Sequence, residues 1–107
     1  MKDTHSLPAT GVLAGVSVTA REALTGFGSF TDHSKGSVVV EQGGPASTLH
    51  IVVDGELRVI LRTPDELVPF GYVQVGETVG EMGFLEENAI ASAAVTARVP
   101  SVVWHIS

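Results

Sequence analysis

Short runs rich in β-branched residues follow one another from Val38 to the end of the chain, with a turn signal between each run and the next. Runs of this length are typical of strands, and glycine, proline and aspartate between them are typical of turns. Because no long helices alternate with the runs, the pattern favours a sandwich, jelly roll or small barrel over a parallel α/β sheet. The predicted strands are Val38–Glu41, Leu49–Val53, Glu56–Arg62, Leu67–Val75, Ala94–Val99 and Ser101–Ile106.

Two positions within this pattern allow sharper predictions. Asp54-Gly55 separates two apolar runs by two residues, which is the spacing of a type I′ hairpin turn, so we expect a hairpin there. Pro69 lies inside a predicted strand, where it cannot donate a ladder hydrogen bond. That strand is therefore expected to be an edge strand or to be bulged at Pro69.

The N-terminal part of the chain has a different character. Residues 1–11 mix Thr, Ser, Pro and Gly and are predicted to form a flexible lead-in, and residues 12–107 are predicted to form one domain. Apolar residues then recur at helical spacing, which predicts a short helix over Ala20–Leu24, capped by Thr19 and ended by Gly26 and Gly28.

The charge and composition exclude several classes of protein. The 107 residues carry a formal net charge of −6, which disfavours binding to nucleic acid or to an anionic membrane surface. The chain has no cysteine and no apolar run long enough to span a bilayer. We therefore expect a cytoplasmic protein that has no nucleic-acid partner and does not insert directly into a membrane.

Three ordered motifs carry a resemblance to a known family. They are Lys35-Gly36-Ser37-Val38, then Gly43-Gly44-Pro45 followed by Leu49-His50-Ile51-Val52 and Gly55-Glu56-Leu57, and finally Val79-Gly80-Glu81-Met82-Gly83-Phe84-Leu85 with Ser92-Ala93. Over roughly Leu13 to Ile106 the chain resembles the cyclic-nucleotide-binding domain family. The resemblance implies a mainly β protein, an antiparallel β jelly roll (double-stranded β-helix) with a short N-terminal helix and a one-turn helix in a phosphate-binding cassette.

The resemblance also assigns roles to residues of the cassette. It implies that Gly80 lets the backbone approach the sugar, that Glu81 accepts a hydrogen bond from the ribose 2′-hydroxyl, and that Met82 and Gly83 supply amide N–H groups to the cyclic phosphate. Ser92 matches the small hydroxyl residue beside the phosphate.

The family's phosphate-binding arginine falls on Ala91. A charge-assisted hydrogen bond contributes roughly 1.5–3 kcal/mol, so we expect binding of cAMP or cGMP to be weak or lost.

The expected partners follow from this resemblance. The chain is predicted to be a regulatory, non-enzymatic domain in signalling, with a cyclic nucleotide as its candidate ligand and no metal or other cofactor. Residues 99–107 resemble the last strand of such domains appended to sulfate-permease-type transporters, so a fused or neighbouring transporter or effector domain is a candidate partner. Two alternatives stay open, a ligand-free structural or protein-interaction module and a metal-dependent cupin-like enzyme. The four scattered histidines give little support to the enzyme.

Overall fold

Two four-stranded antiparallel sheets make up the fold in a computed structural model of the chain, which describes residues 5–44, 48–80, 91 and 93–106. A 3-10 turn (Gly11–Leu13) and one helix, α1 (Val18–Thr25), precede the strands. The strands are β1 (Ser29–His33), β2 (Val38–Val40), β3 (Leu49–Asp54), β4 (Glu56–Arg62), β5 (Leu67–Gln74), β6 (Thr78–Val79), β7 (Ala94–Ala97) and β8 (Ser101–Ile106).

The strand order explains how the chain forms a roll. Sheet A has the order β1-β8-β3-β6 and sheet B the order β2-β7-β4-β5, so consecutive strands repeatedly lie in different sheets. The main core lies between the sheets and is apolar on both sides, which buries the inner face of each sheet. Its buried members are Val52 and Val103 from sheet A and Leu57, Val73, Val95 and Ala97 from sheet B. The predicted antiparallel jelly roll is confirmed.

A second cluster covers the outer face of sheet A. Trp104 and Ile51 lie there beneath Leu7 and Leu13, and Trp104 also donates a hydrogen bond from Nε1 to the Thr25 carbonyl at 3.3 Å. Leu7 is only 4% exposed, so part of the segment predicted as a flexible lead-in contributes to the core. The proposed division at residue 11 stays a prediction.

The helix is longer than its sequence pattern predicted. It spans Val18–Thr25, and its N-cap is Ser17 rather than Thr19, because the Ser17 hydroxyl accepts a hydrogen bond from the Ala20 N–H at 3.1 Å. Ser17 has the extended backbone that an N-cap requires, whereas Thr19 already lies inside the first turn. Gly26 is the C-cap, as predicted.

Six strands lie where the sequence predicted them, with ends that differ by no more than a few residues. Two further strands, β1 and β6, were not predicted. β1 contains Asp32 and His33 among its five residues, and β6 has only two residues, so neither gives a clear β-branched pattern. Both lie in sheet A, where they pair with β8 and β3.

The predicted hairpin at Asp54-Gly55 is wrong. β3 belongs to sheet A and β4 to sheet B, so this turn carries the chain from one sheet to the other. Gly55 does have the positive φ that was expected, +87°, and a Cβ there would lie 2.3 Å from the Ser101 Oγ. The glycine thus allows two segments of the chain to pack closely where the chain changes sheets.

The prediction for Pro69 is confirmed in both respects. β5 is the edge strand of sheet B, and its register with β4 shifts between the pairs Val59–Gly71 and Ile60–Pro69. Phe70 is the extra residue at this bulge. The missing N–H of Pro69 therefore lies on an irregular edge strand.

Replacing Trp104 should test the contribution of the N-terminal layer to stability. Trp104 is 1% exposed, and Trp104→Ala should lower the free energy of unfolding by about 3–5 kcal/mol, because it leaves a cavity beneath Leu7 and Leu13. Urea denaturation measures the change. Phe70→Ala is the matched control, since Phe70 is 70% exposed and its loss should change stability by no more than about 0.5 kcal/mol. Equal losses in both variants would contradict the described packing.

Candidate functional site

Gly80 lies at one end of the roll, which we call the far end because the turn at Gly55 lies at the other. It follows β6 directly, and its φ of +84° is one that residues with a side chain rarely adopt. A Cβ at this position would lie 2.5 Å from the Thr48 carbonyl oxygen and 3.8 Å from the Nδ1 of His50. Gly80 therefore brings the backbone close to the first residues of β3.

Ala91 lies at the same end of the roll. Its N–H donates to the Gly44 carbonyl at 2.9 Å, and its carbonyl accepts from the Gly43 N–H at 2.9 Å. Gln42, which precedes Gly43, makes two further hydrogen bonds through its side-chain amide to the backbone of Arg62. The turn after β2 is thus tied both to β4 and to the segment that enters β7, which fixes the backbone at Ala91.

The other predicted ligand-binding residues, Glu81, Met82, Gly83 and Ser92, lie outside the described residues, as does the predicted one-turn helix of the cassette. The assignment of Gly80, Ala91 and these four positions to a binding site stays a prediction. The structure does place Gly80 and Ala91 at a common end of the roll, one at the end of sheet A and the other beside sheet B.

The arginines that the structure describes all lie away from the inner face of the roll. Leu57 and Val59 pack into the core, so alternation along β4 places Arg58 and Arg62 on the outer face of sheet B. Arg98 forms a salt bridge of 3.1 Å with Glu56 and lies over the ring of Tyr72. The remaining one, Arg21, donates to the Val16 carbonyl beside α1.

Lys35 also lies far from Ala91. It is exposed and precedes Gly36, whose N–H donates to the carbonyl of Ala97, the last residue of β7. Ala91, by contrast, lies before Ala94, the first residue of β7, and so at the other end of that strand. Among residues 5–44, 48–80, 91 and 93–106, no lysine or arginine therefore lies on the inner face of the roll at its far end.

Two histidines do lie there. The register pairs His50 with His105 on one side and with Val79 on the other, and Val79 packs against the inner core, so both imidazoles are on the inner face of sheet A. Their ring centroids are 6.1 Å apart. The Nε2 of His105 forms a hydrogen bond of 2.8 Å with the Thr31 hydroxyl.

The imidazole of His50 is held in its neutral form. Burial lowers the pKa of His50 below its usual value of 6.5, and repulsion from His105 lowers it further. Nearby backbone groups of Val79 and Thr48 oppose the shift only in part. The buried Nδ1 has no hydrogen-bond partner of good geometry within the described part of the chain. This nitrogen is therefore a buried polar atom whose hydrogen-bonding capacity is not fully used.

Sequence reasoning did not identify the two histidines as a pair. His50 and His105 are far apart in the chain, and only the pairing of β3 with β8 brings them together. Side chains alternate along a strand, so the sequence could have placed His50 on the face of β3 opposite Ile51, and His105 on the face of β8 opposite Trp104. It could not have shown that the two strands are neighbours.

Comparison with known proteins identifies the family. A family model described as "Cyclic nucleotide-binding domain" matches residues 31–107. The chain belongs to this family. Sequence relatives include the cAMP-activated global transcriptional regulator CRP of Salmonella typhimurium, which is 33% identical over 73 residues. That match covers 66% of this chain and 34% of the regulator, so the chain spans about a third of the length of this relative.

Solved structures show the same fold. The c-di-GMP responsive global regulator CLP of Xanthomonas campestris matches with a TM-score of 0.73 and 28% identity, over 80% of this chain and 42% of that protein. The regulatory subunit of a cAMP-independent protein kinase A from Trypanosoma brucei matches with a TM-score of 0.75 and 24% identity, over 88% and 35% of the two chains. At that identity the second match shows the fold alone.

Three further observations concern metal ligands, membrane-spanning helices and grooves in the described part of the chain. It contains no cluster of three or more His, Cys, Asp or Glu residues that could hold a metal ion. None of its helices combines the length and the apolar character needed to cross a membrane. A groove of about 370 Å³ lies beside α1 and β1, lined by His5, Thr25, Gly28, Ser29 and Phe30, and no predicted site residue lines it.

Substitution of Gly80 should test the close approach at the far end. Gly80→Ala should destabilise the domain for two reasons, because alanine is strained at φ +84° and because its Cβ would collide with the Thr48 carbonyl. Gly15→Ala is the matched control, since Gly15 has φ +83° with nothing within 4 Å of an added Cβ.

The control isolates the cost of the backbone conformation, about 1–2 kcal/mol, and Gly80→Ala should cost measurably more. Chemical denaturation of both variants measures the difference. If the two variants lose the same stability, the contact between Gly80 and Thr48 does not constrain the far end.

Proposed function

We propose that this chain is a regulatory domain that binds cAMP or cGMP weakly because it lacks the cation that normally contacts the cyclic phosphate. The single observation that carries the proposal is alanine at position 91, where the family resemblance implies an arginine. An alanine methyl group can neither donate a hydrogen bond nor carry charge, so a phosphate beside it would lose a contact of roughly 1.5–3 kcal/mol.

The positions of the other cations support this proposal. Arg98, the basic residue nearest to Ala91 in the sequence, is engaged by Glu56 and Tyr72 at the opposite end of the roll. Arg58 and Arg62 lie on the outer face of sheet B, on the side of the sheet away from a ligand between the sheets. The net charge of −6 adds a general repulsion toward an anionic nucleotide.

The relatives support a regulatory rather than a catalytic role. The matching regulator from Salmonella typhimurium is described as cAMP-activated, and this chain matches about a third of its length. We propose that this domain passes a signal to another part of a larger protein or to a partner, a transporter or effector domain. On this proposal the domain acts in the cytoplasm, where cyclic nucleotides are made, and performs no reaction of its own.

A second function, that of a ligand-free interaction module, is favoured by the outer face of sheet B. Tyr72 and Val38 are exposed there, at the two ends of one row of cross-strand neighbours that also contains Thr96 and Arg58. Phe70 is exposed at the bulge of the edge strand. Exposed apolar side chains on a sheet face can mark a surface that contacts another protein.

Restoring the arginine distinguishes the two functions. In isothermal titration calorimetry at neutral pH, Ala91→Arg should bind cAMP or cGMP about ten- to a hundredfold more tightly than the unmodified chain. Ala20→Arg is the matched control, because it adds the same charge at an exposed position on α1 and should leave the affinity unchanged.

The thermal stability of the same samples gives a second readout, since a ligand that binds only the folded state raises the unfolding temperature. If neither the unmodified chain nor Ala91→Arg binds either nucleotide, the proposed function is wrong and the interaction module is favoured. If Ala20→Arg gains as much affinity as Ala91→Arg, net charge rather than a specific contact limits binding.

A further inference from the structure

The imidazole pair at the far end occupies a position suited to an anion. His50 and His105 are cross-strand neighbours on the inner face of sheet A, with ring centroids 6.1 Å apart. The Nδ1 of His50 lies 3.8 Å from the position that a Cβ of Gly80 would take. Since Gly80 has no side chain, its backbone packs closely against the Thr48 carbonyl beside this nitrogen.

The two imidazoles differ in how they are held. His105 is fixed by its hydrogen bond of 2.8 Å to the Thr31 hydroxyl, whereas the buried Nδ1 of His50 has no partner of good geometry. A buried polar atom without a partner loses its hydration and gains nothing in return. A ligand oxygen placed against Nδ1 would remove this cost.

The titratable groups around His50 determine whether a proton on its imidazole has a counter-ion within the protein. In the described part of the chain, the titratable groups that act on it are His105 on β8 and His33 on β1, while β6 presents Val79. Glu77, the acid that precedes β6, turns its carboxylate toward β5, where it accepts from the Gln74 N–H at 2.7 Å.

Among the described residues, sheet B contributes Leu57, Val73, Val95 and Ala97 to the core, all of them apolar. No described carboxylate therefore neutralises a proton on His50, and a bound anion would be its counter-ion.

We propose that the His50 imidazole, with His105 beside it, binds the anionic phosphodiester of the ligand at Gly80 and that the ligand binds more tightly when this pair carries a proton. The inference rests on the proposed function, because it assumes that the far end receives a cyclic nucleotide. It adds that the cation missing at position 91 is replaced in part by a titratable one. The domain would then respond to acidification together with its ligand.

The direction of the pH effect follows from the state of the free protein. Burial and His105 lower the pKa of His50 below 6.5, so the ring is neutral at neutral pH and contributes no charge to binding. An anion at Nδ1 favours the protonated ring and raises the pKa of His50 in the complex. Affinity therefore rises as the pH falls from above the pKa of the complex to below that of the free protein. The rise is about tenfold for each unit that separates the two values.

Calorimetric titration of the chain with cAMP and with cGMP at about pH 8 and about pH 5.5 tests this inference. Each titration is repeated in two buffers of different ionisation enthalpy, because a buffer-dependent binding enthalpy measures proton uptake. We expect tighter binding at the lower pH with uptake of up to one proton. His50→Gln keeps a hydrogen-bonding amide but cannot be protonated, so it should lose both the pH dependence and the proton uptake.

His5→Gln is the matched control. His5 lies beside Phe30, whose side chain packs on the outer face of sheet A, and it is not among the groups that act on His50. Its variant should keep the pH dependence of the unmodified chain. Circular dichroism at both pH values confirms that each variant is folded. If His50→Gln does not fold, Ala91→Arg replaces it, because a permanent cation should reduce the proton uptake on binding.

Two results would overturn the inference and are distinguishable from each other. Binding that is independent of pH, or that keeps its pH dependence in His50→Gln, overturns the role of His50 and leaves the proposed function intact. Absence of binding at both pH values also overturns the inference, and the Ala91→Arg titration then tests the proposed function on its own.

Discussion

The fold depends on the contact between two of the places where the chain passes from one sheet to the other. Gly55, between β3 and β4, lies against Ser101 at the start of β8, where a Cβ would be 2.3 Å from the serine hydroxyl. That hydroxyl is buried and donates to the Val99 carbonyl at 2.7 Å, and the Glu56 N–H donates to it at 3.2 Å. The Arg98 N–H in turn donates to the Glu56 carbonyl at 3.0 Å. This network joins the sheets at one end and aligns their inner faces.

Because one end of the roll is fixed, the directions of β3 and β4 determine which segments of the chain lie at the far end. From Gly55, β3 runs back to His50 and β4 runs forward to Arg62, so the segments around Gly80 and Ala91 both lie at the far end. The apolar core supplies the shape of this end, but shape alone does not bind an anion. Whatever charge the site offers must come from a few side chains. In the described residues the imidazoles are the groups on the inner face that can supply it.

Much of the fold was predictable because strand and turn signals are local. Six strands, the bulge at Pro69 and the positive φ of Gly55 all follow from residue types in short windows. The hairpin failed because a glycine with positive φ serves a hairpin and a sheet-to-sheet turn equally well, and the choice depends on distant strands. The same distinction between local signals and distant contacts applies to the site. Gly80 and Ala91 could be singled out from the sequence, whereas the pairing of His50 with His105 depends on a contact between β3 and β8.

The most direct test of the account is a titration of the isotope-labelled chain with cAMP, followed by the chemical shifts of its backbone amides. The account predicts that the largest changes occur at the far end, at Gly43, Gly44, His50, Gly80 and Ala91, and that they grow as the pH is lowered. Changes confined to the outer face of sheet B, around Tyr72 and Phe70, would contradict it. They would show that the nucleotide binds outside the roll, on the opposite surface of that sheet.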